Sequence, residues 1–296
     1  MKFKRQIRRL GMFAWEAART PLDRVIRPDH VKLLHYVILN WGDLINPVLM
    51  RRITSKPVVS VDIDVRRMKK PPVRPEQDTV IMGIGSILQY ADCQTEVWGS
   101  GLWSDTSPIQ PPKRVHAVRG PLTRQSLLNR GISCPEVFGD PALLLPKFFP
   151  NNSPKKYDLG IVPHRTDINH PSLRKFIEDP SVCVIDLRKP GVLNTLELFQ
   201  QCKHVVSSSL HGLIVPDAYG IPSKQIELFG SVPGGQFKFN DYYGSLNFEA
   251  PAPTLISQQT TKEELIDACS FKSLDALDLD ELLNVCPVEK MAAEQS

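Results

Sequence analysis

The sequence predicts an α/β protein made of two parallel-sheet halves that face each other across a cleft. Three observations carry that expectation. Apolar runs of strand length alternate with amphipathic stretches of helix length along most of the chain. Glycine turns stand at the exits of the apolar runs, as in Gly83-Ile84-Gly85-Ser86, Gly99-Ser100-Gly101 and Arg119-Gly120, where a parallel strand hands over to its crossover. Residues 147–156, rich in Pro, Asn and Ser, divide the alternation into two series. A length of 296 residues suits two such halves better than a single core.

Taken in order, residues 31–37 read as a buried strand, followed by the turn Asn40-Trp41-Gly42-Asp43 and a helix over 43–53 with Pro47 in its first turn. Pro57 opens a strand over 58–63, and the Lys-, Arg- and Pro-rich stretch 66–75 reads as a solvated loop. Strands follow at 79–86, 96–99 and 115–118; the last runs through Arg119-Gly120-Pro121 into a helix that Gly131 stops. Val137-Phe138-Gly139-Asp140-Pro141 closes the first series. The second alternates a strand at 157–162, a helix at 172–177, a strand at 182–186, a helix at 195–202, a strand at 204–207, a helix at 210–219 and a strand at 224–228. Lys238 to Tyr242 reads as a loop. The acidic tail reads as two helices, the first with a capping box at Thr260 and Glu263. The expected organisation is a basic N-terminal helix (1–30), two Rossmann-like domains (31–148 and 155–250) and an acidic helical tail (251–296).

Composition narrows the function classes. A hydrophobic content of 42% with 23% charged residues belongs to a globular protein. No apolar run reaches the length of a membrane span and no apolar signal core opens the chain, so a cytoplasmic location is expected. The six cysteines form no CxxC pair and read as reduced thiols; with no ligand-spaced cluster, no metal is expected. A net charge of +4 is too small to argue for nucleic acid. The charge is unevenly placed: Lys2, Lys4, Arg5, Arg8 and Arg9 crowd the start, and the tail after Pro253 carries nine acids against three lysines. Phe3, Ile7, Leu10, Ala14 and Ala17 share one helical stripe, so the first segment suits packing on the rest of the chain or peripheral contact with an anionic membrane face.

The stretch Lys203 to Gly212, KHVVSSSLHG, concentrates the chemistry. A short strand runs into Ser207, Ser208 and Ser209, and His211 opens a helix marked by Leu210, Leu213, Ile214 and Ala218, with Gly220 as its stop. A helix start offers unpaired N–H groups and partial positive charge, a natural place for an anion. Serine is also a common N-cap and a first-turn histidine is often mere packing, so the neighbours decide. Polar residues gather at other strand ends too: Ser86, Trp98, Arg119, Asp140, His164, Arg165 and Asp186, and ligands of open parallel sheets bind there. Arg119 and Arg165 suit a bidentate grip on carboxylate or phosphate. Gly83-Ile84-Gly85-Ser86 lacks the third glycine of a dinucleotide fingerprint, and no GK[ST] phosphate loop is present.

Eight segments in order together resemble the polysaccharide pyruvyltransferase family, in its succinoglycan-type, ketal-forming branch. They are NWGDLINP (40–47), GIGSIL (83–88), VWGSG (97–101), AVRGPLT (117–123), GDPALLLP (139–146), GIVPH (160–164), SSSLHGLIVPDAYGIPS (207–223) and KFNDYY (238–243). The resemblance implies a GT-B-like pair of Rossmann-like domains with the donor in the cleft. It also implies transfer of pyruvate from phosphoenolpyruvate to two hydroxyls of a glycan sugar as a ketal, with phosphate released. Phosphoenolpyruvate is then a substrate, no cofactor is expected, and the acceptor is a glycan or lipid-linked oligosaccharide in exopolysaccharide or cell-surface glycan synthesis. His211 matches the family's S-x-L-H histidine and is expected as the acid, with the base drawn from His164 or Asp186. Donor contacts are expected from Arg119, Ser207, Ser208, Ser209, Leu210 and Lys238, and acceptor contacts from Asn40, Asp43, Trp98 and Tyr242. The pattern departs at Ser209, where many members carry arginine; Arg119 is the expected replacement charge. A GT-B glycosyltransferase using a nucleotide sugar, or a catalytically inactive glycan-binding homologue, is the alternative.

Overall fold

The computed structural model describes residues 29–68, 79–228 and 235–291. Almost all of the expected N-terminal helix, with its membrane contact, lies outside them, as does most of the expected 66–75 loop.

The first sheet contains β1 (Val31–His35), β2 (Val58–Asp62), β3 (Val80–Met82), β4 (Thr95–Trp98) and β5 (Arg114–Ala117) in the order β2-β1-β3-β4-β5, every pair parallel. The second contains β6 (Tyr157–Val162), β7 (Val182–Val184), β8 (Cys202–Ser207), β9 (Ser223–Glu227) and β10 (Thr254–Leu255) in the order β10-β9-β8-β6-β7, again all parallel. Helices α1 (Trp41–Ile53), α2 (Ile63–Met68), α3 (Pro121–Leu128) and α4 (Leu145–Phe148) belong to the first series. The second series supplies α5 (Arg174–Ile177), α6 (Val192–Gln200), α7 (His211–Ala218) and α8 (Phe237–Ser245), followed by α9 (Lys262–Asp267) and α10 (Leu279–Asn284). The central strands are runs of Val, Ile and Leu because crossover helices cover both faces of a parallel sheet; β3 is buried along its whole length.

The two sheets share one design. β1 lies between β2 and β3, and β6 lies between β7 and β8, so in each sheet the chain winds outward in both directions from its first strand. Such a reversal leaves a crevice beyond the carboxyl ends of the two strands that part there. In the first sheet that end leads into Asn40–Asp43 and Gly83–Ser86; in the second, into His164-Arg165 and Ser207–His211.

Four expectations are corrected. Residues 238–242 are helical within α8, not a loop. Phe239, Tyr242, Tyr243 and Leu246 are all buried and recur at helical spacing, which the neighbouring Gly and Asn residues obscure. Residues 66–68, expected in a loop, instead close α2, which runs to Met68. The tail is not wholly helical: Thr254 and Leu255 extend the second sheet as β10, and the Ile256 N–H bonds Glu227 O at 2.8 Å. Its capping box is one residue further on, at Thr261 and Glu264.

One apolar cluster runs through both series. It joins Trp41, Ile45, Leu49 and Trp98 of the first to Phe199, Leu213, Ile214, Phe239 and Tyr242 of the second, with Leu282 of the tail.

Candidate functional site

His211 sits in the first turn of α7, against the opening of α1 from the other series. Gly42 permits this approach: a Cβ there would collide with the imidazole ring. The α1 opening is itself anchored to the second series, since the Trp41 N–H bonds Leu187 O at 2.8 Å and its indole N–H bonds Val192 O at 2.9 Å. The turn NWGD therefore forms the wall on which the histidine rests.

Two carboxylates attend His211. Asp140 is fully buried at the start of the short turn Pro141–Leu144; one carboxylate oxygen accepts from the Ala142 N–H at 2.9 Å. Its other oxygen faces His211 Nε2 at 3.7 Å, and both atoms are buried without a hydrogen-bond partner among the described residues. Two facing polar atoms left unsatisfied in a protein interior are uncommon. Asp43 is the second carboxylate. Burial raises its pKa to about 6, against the opposing pull of Asn40, whose side chain donates to it at 2.5 Å, and of the charges of His211 and Arg165. A carboxyl group poised there exchanges protons near neutrality.

The serine run builds the turn into α7. The Ser207 hydroxyl donates to Val162 O at 2.8 Å and accepts the Ser209 N–H at 2.9 Å. The Ser208 hydroxyl donates to Asp167 at 2.9 Å and accepts the His164 N–H at 2.7 Å, tying the loop after β6 to the α7 start. Leu210 is buried at the N-cap position, and among the described residues no side chain caps the helix. Ser207 and Ser208 thus spend their hydroxyls on the fold, and what they leave to a ligand is the uncapped helix start with its partial positive charge.

His164 lies among cations. Burial first, then the charge of Lys238 and more weakly that of Arg165, lowers its pKa to about 4, with Asp167 opposing, so its imidazole is neutral at pH 7. Lys238 on α8 is buried; burial and the Arg119 charge lower it to about 8. Its ammonium stands 4.9 Å from the ring centroid of Trp103, which is 38% exposed.

Several expected site residues have other employment. Arg119 is fully buried, and its guanidinium donates to Asp241 at 2.9 Å, to Leu102 O at 2.8 Å and to the Ser86 hydroxyl. Asp241 also accepts from the N–H and hydroxyl of Thr123, at 2.8 and 2.7 Å. Gly120 allows the contact, because a Cβ there would strike the Asp241 carbonyl. The motifs VRGPLT and KFNDYY thereby form one clamp between α3 and α8, which leaves Arg119 no free face toward a donor. Trp98, expected at the acceptor, is 1% exposed and donates its indole N–H to Leu282 O at 2.7 Å. Tyr242, expected there too, is fully buried and donates its hydroxyl to Asp217 at 2.9 Å. Both side chains pack the core because their rings face inward from β4 and α8. Asp186 is held in a bidentate pair by Arg188 at 2.8 Å, which lowers its pKa. Asn40 serves Asp43.

The structure therefore gathers His211, Asp43 and Asn40 at the junction of the two series, with His164, Ser208 and Lys238 alongside. It adds Asp140, which the sequence marks as a strand-end polar residue without assigning it a role, and Trp103, which no motif marks.

Residues 113–223 match the family model described as polysaccharide pyruvyl transferase. The chain is 28% identical over 224 residues to the uncharacterized protein L143 of Acanthamoeba polyphaga mimivirus, covering 73% of this chain and 75% of that one. It is 26% identical over 208 residues to the succinoglycan biosynthesis protein ExoV of Rhizobium meliloti (strain 1021), covering 67% of this chain and 63% of that protein. The family resemblance read from the eight motifs is borne out.

Proposed function

From the match of residues 113–223 to the family model described as polysaccharide pyruvyl transferase, we propose that this protein transfers pyruvate from phosphoenolpyruvate to two hydroxyls of a glycan sugar. The product is a ketal, made in the assembly of an exopolysaccharide or cell-surface glycan. The two doubly wound sheets act as GT-B-like, Rossmann-like domains, with the donor at their carboxyl-end crevice. The observation that carries the reading is the buried pair His211 Nε2 and Asp140, unpaired and 3.7 Å apart, at the meeting of the two series.

The chemistry asks for three things: charge to hold a phosphate and a carboxylate, a proton for the methylene carbon, and acceptors for two hydroxyl protons. The uncapped start of α7 and Lys238 provide charge. His211 delivers a proton to the methylene carbon, turning it into the methyl group of the ketal, with the Asp140 carboxylate facing its ring at 3.7 Å. Each sugar oxygen bonds to the former C2 carbon and the bond from C2 to the phosphate oxygen breaks. One hydroxyl proton replaces that given to the methyl group, and the other leaves with phosphate. His164, neutral at pH 7, and Asp43, with a pKa of about 6, are the proton acceptors. Asp186, paired with Arg188, is the weaker base of those expected.

The decisive experiment incubates the protein with phosphoenolpyruvate and a glycan panel and follows phosphate release and glycan mass. The expected outcome is a pyruvate ketal added to an acceptor, abolished in His211→Ala while that variant keeps the wild-type circular dichroism. Turnover of a nucleotide sugar with no use of phosphoenolpyruvate would overturn the proposal in favour of a glycosyltransferase.

A further inference from the structure

The donor reading leaves one charge to find. A molecule with both a phosphate and a carboxylate calls for more than one cation, and Arg119 is spent on the α3–α8 clamp. The start of α7 offers N–H donors and a partial positive charge but no full cation in Ser207 to Leu210. Arg165 differs. It follows His164 at the carboxyl end of β6, beside β8, where the second sheet reverses direction. Its backbone is fixed from both sides: the His164 N–H bonds the Ser208 hydroxyl at 2.7 Å, the Asp167 N–H bonds His164 O at 2.8 Å, and Asp167 accepts from Thr166 and Ser208 at 2.8 and 2.9 Å. Its side chain is exposed and has no hydrogen-bond or ion-pair partner among the described residues. Yet its charge is felt by two site groups, His164 of the second series and Asp43 of the first. This exposed guanidinium, at the carboxyl end of β6, thus lies near groups of both series.

Resting on the donor reading above, we infer that Arg165 grips an anionic group of phosphoenolpyruvate at the mouth of this crevice, with Lys238 supplying the second charge. An anchored backbone under an uncommitted guanidinium is a preorganised anion contact, since only the side chain has to be ordered on binding. Asp167 opposes these two cations at His164, and its carboxylate is already bonded to Ser208 and Thr166. A bound dianion adds negative charge beside both cations.

Titration calorimetry of the full chain with phosphoenolpyruvate tests the inference. Arg165→Ala weakens binding on the order of 10- to 100-fold, the range for losing a charge-assisted hydrogen bond. Arg165→Lys falls between, because it keeps the charge and loses the fork. Lys203→Ala, at the opposite end of β8, leaves affinity unchanged. Equal thermal midpoints for all variants keep misfolding out of the comparison. Wild-type affinity in Arg165→Ala overturns the inference and leaves the donor reading standing. Wild-type protein that binds no phosphoenolpyruvate overturns both.

Discussion

Asp43 shows how a single residue links stability to activity at this site. Burial keeps it protonated up to about pH 6, whereas an unfolded chain releases that proton near the ordinary carboxylate value of about 4. Between those values the native state binds more protons than the unfolded state, so stability falls as pH rises through the window and stays lower above it. Asp43→Asn removes that penalty while preserving a partner for Asn40. The variant is therefore expected to be more stable than wild type at pH 7, by on the order of 1–3 kcal/mol, with the difference closing below about pH 4. Urea denaturation at pH 4 and pH 7 measures it. A variant less stable at pH 7 would show that the carboxylate is paired instead of stranded. At this scale the sequence was informative about residue type and silent about partners. His211, Asp43 and Lys238 were recognisable as chemistry-bearing. That Trp98 and Tyr242 point into the core was not, because alternation along a four-residue strand or a one-turn motif leaves the inward face undetermined.

Among the elements, the clamp between α3 and α8 carries most of the mechanical consequence. Arg119 and Asp241 are both fully buried, and Asp241 also covers the first turn of α3 through the Thr123 N–H. Removing one member of a buried ion pair strands the other, which typically costs about 3–5 kcal/mol. Asp241→Ala is thus expected to lower the thermal midpoint sharply. Replacing both partners by apolar residues, as Arg119→Met with Asp241→Leu, recovers part of the loss. A scan in which Asp241→Ala melts like wild type contradicts the clamp. Most strands and their order of appearance were legible from apolar runs and glycine turns. Helix α8 was not: its apolar positions 239, 242, 243 and 246 compete with Gly, Asn and Asp signals that read locally as a loop. Short β10 carries too few residues for any period to register.

For the molecule as a whole, the continuous core predicts the unfolding behaviour. The apolar cluster passes from Trp41 and Trp98 through Leu213 and Phe239 to Leu282, so neither sheet keeps an intact interior when the other melts. A single calorimetric transition is expected although the chain exceeds the size at which two-state unfolding is routine. Two resolved transitions would contradict it. Phosphoenolpyruvate is expected to raise the midpoint of that transition, by linkage worth about 2.7 kcal/mol at a hundredfold excess over its dissociation constant.

By itself the sequence determined the alternation that makes two parallel sheets, the family to which the motifs point, and the histidine at the start of a helix. These are local properties, written in apolar period, turn chemistry and short segments kept in order. Only the tertiary structure decided which side chains meet. It placed Asp140 before His211, set Gly42 against its ring, withdrew Arg119 into a buried pair and left Arg165 exposed, with no partner among the described residues. The physical reason is that a strand end specifies where a residue leaves the sheet. The packing of one series on the other specifies whether its polar atoms face a partner, the core or an open cleft.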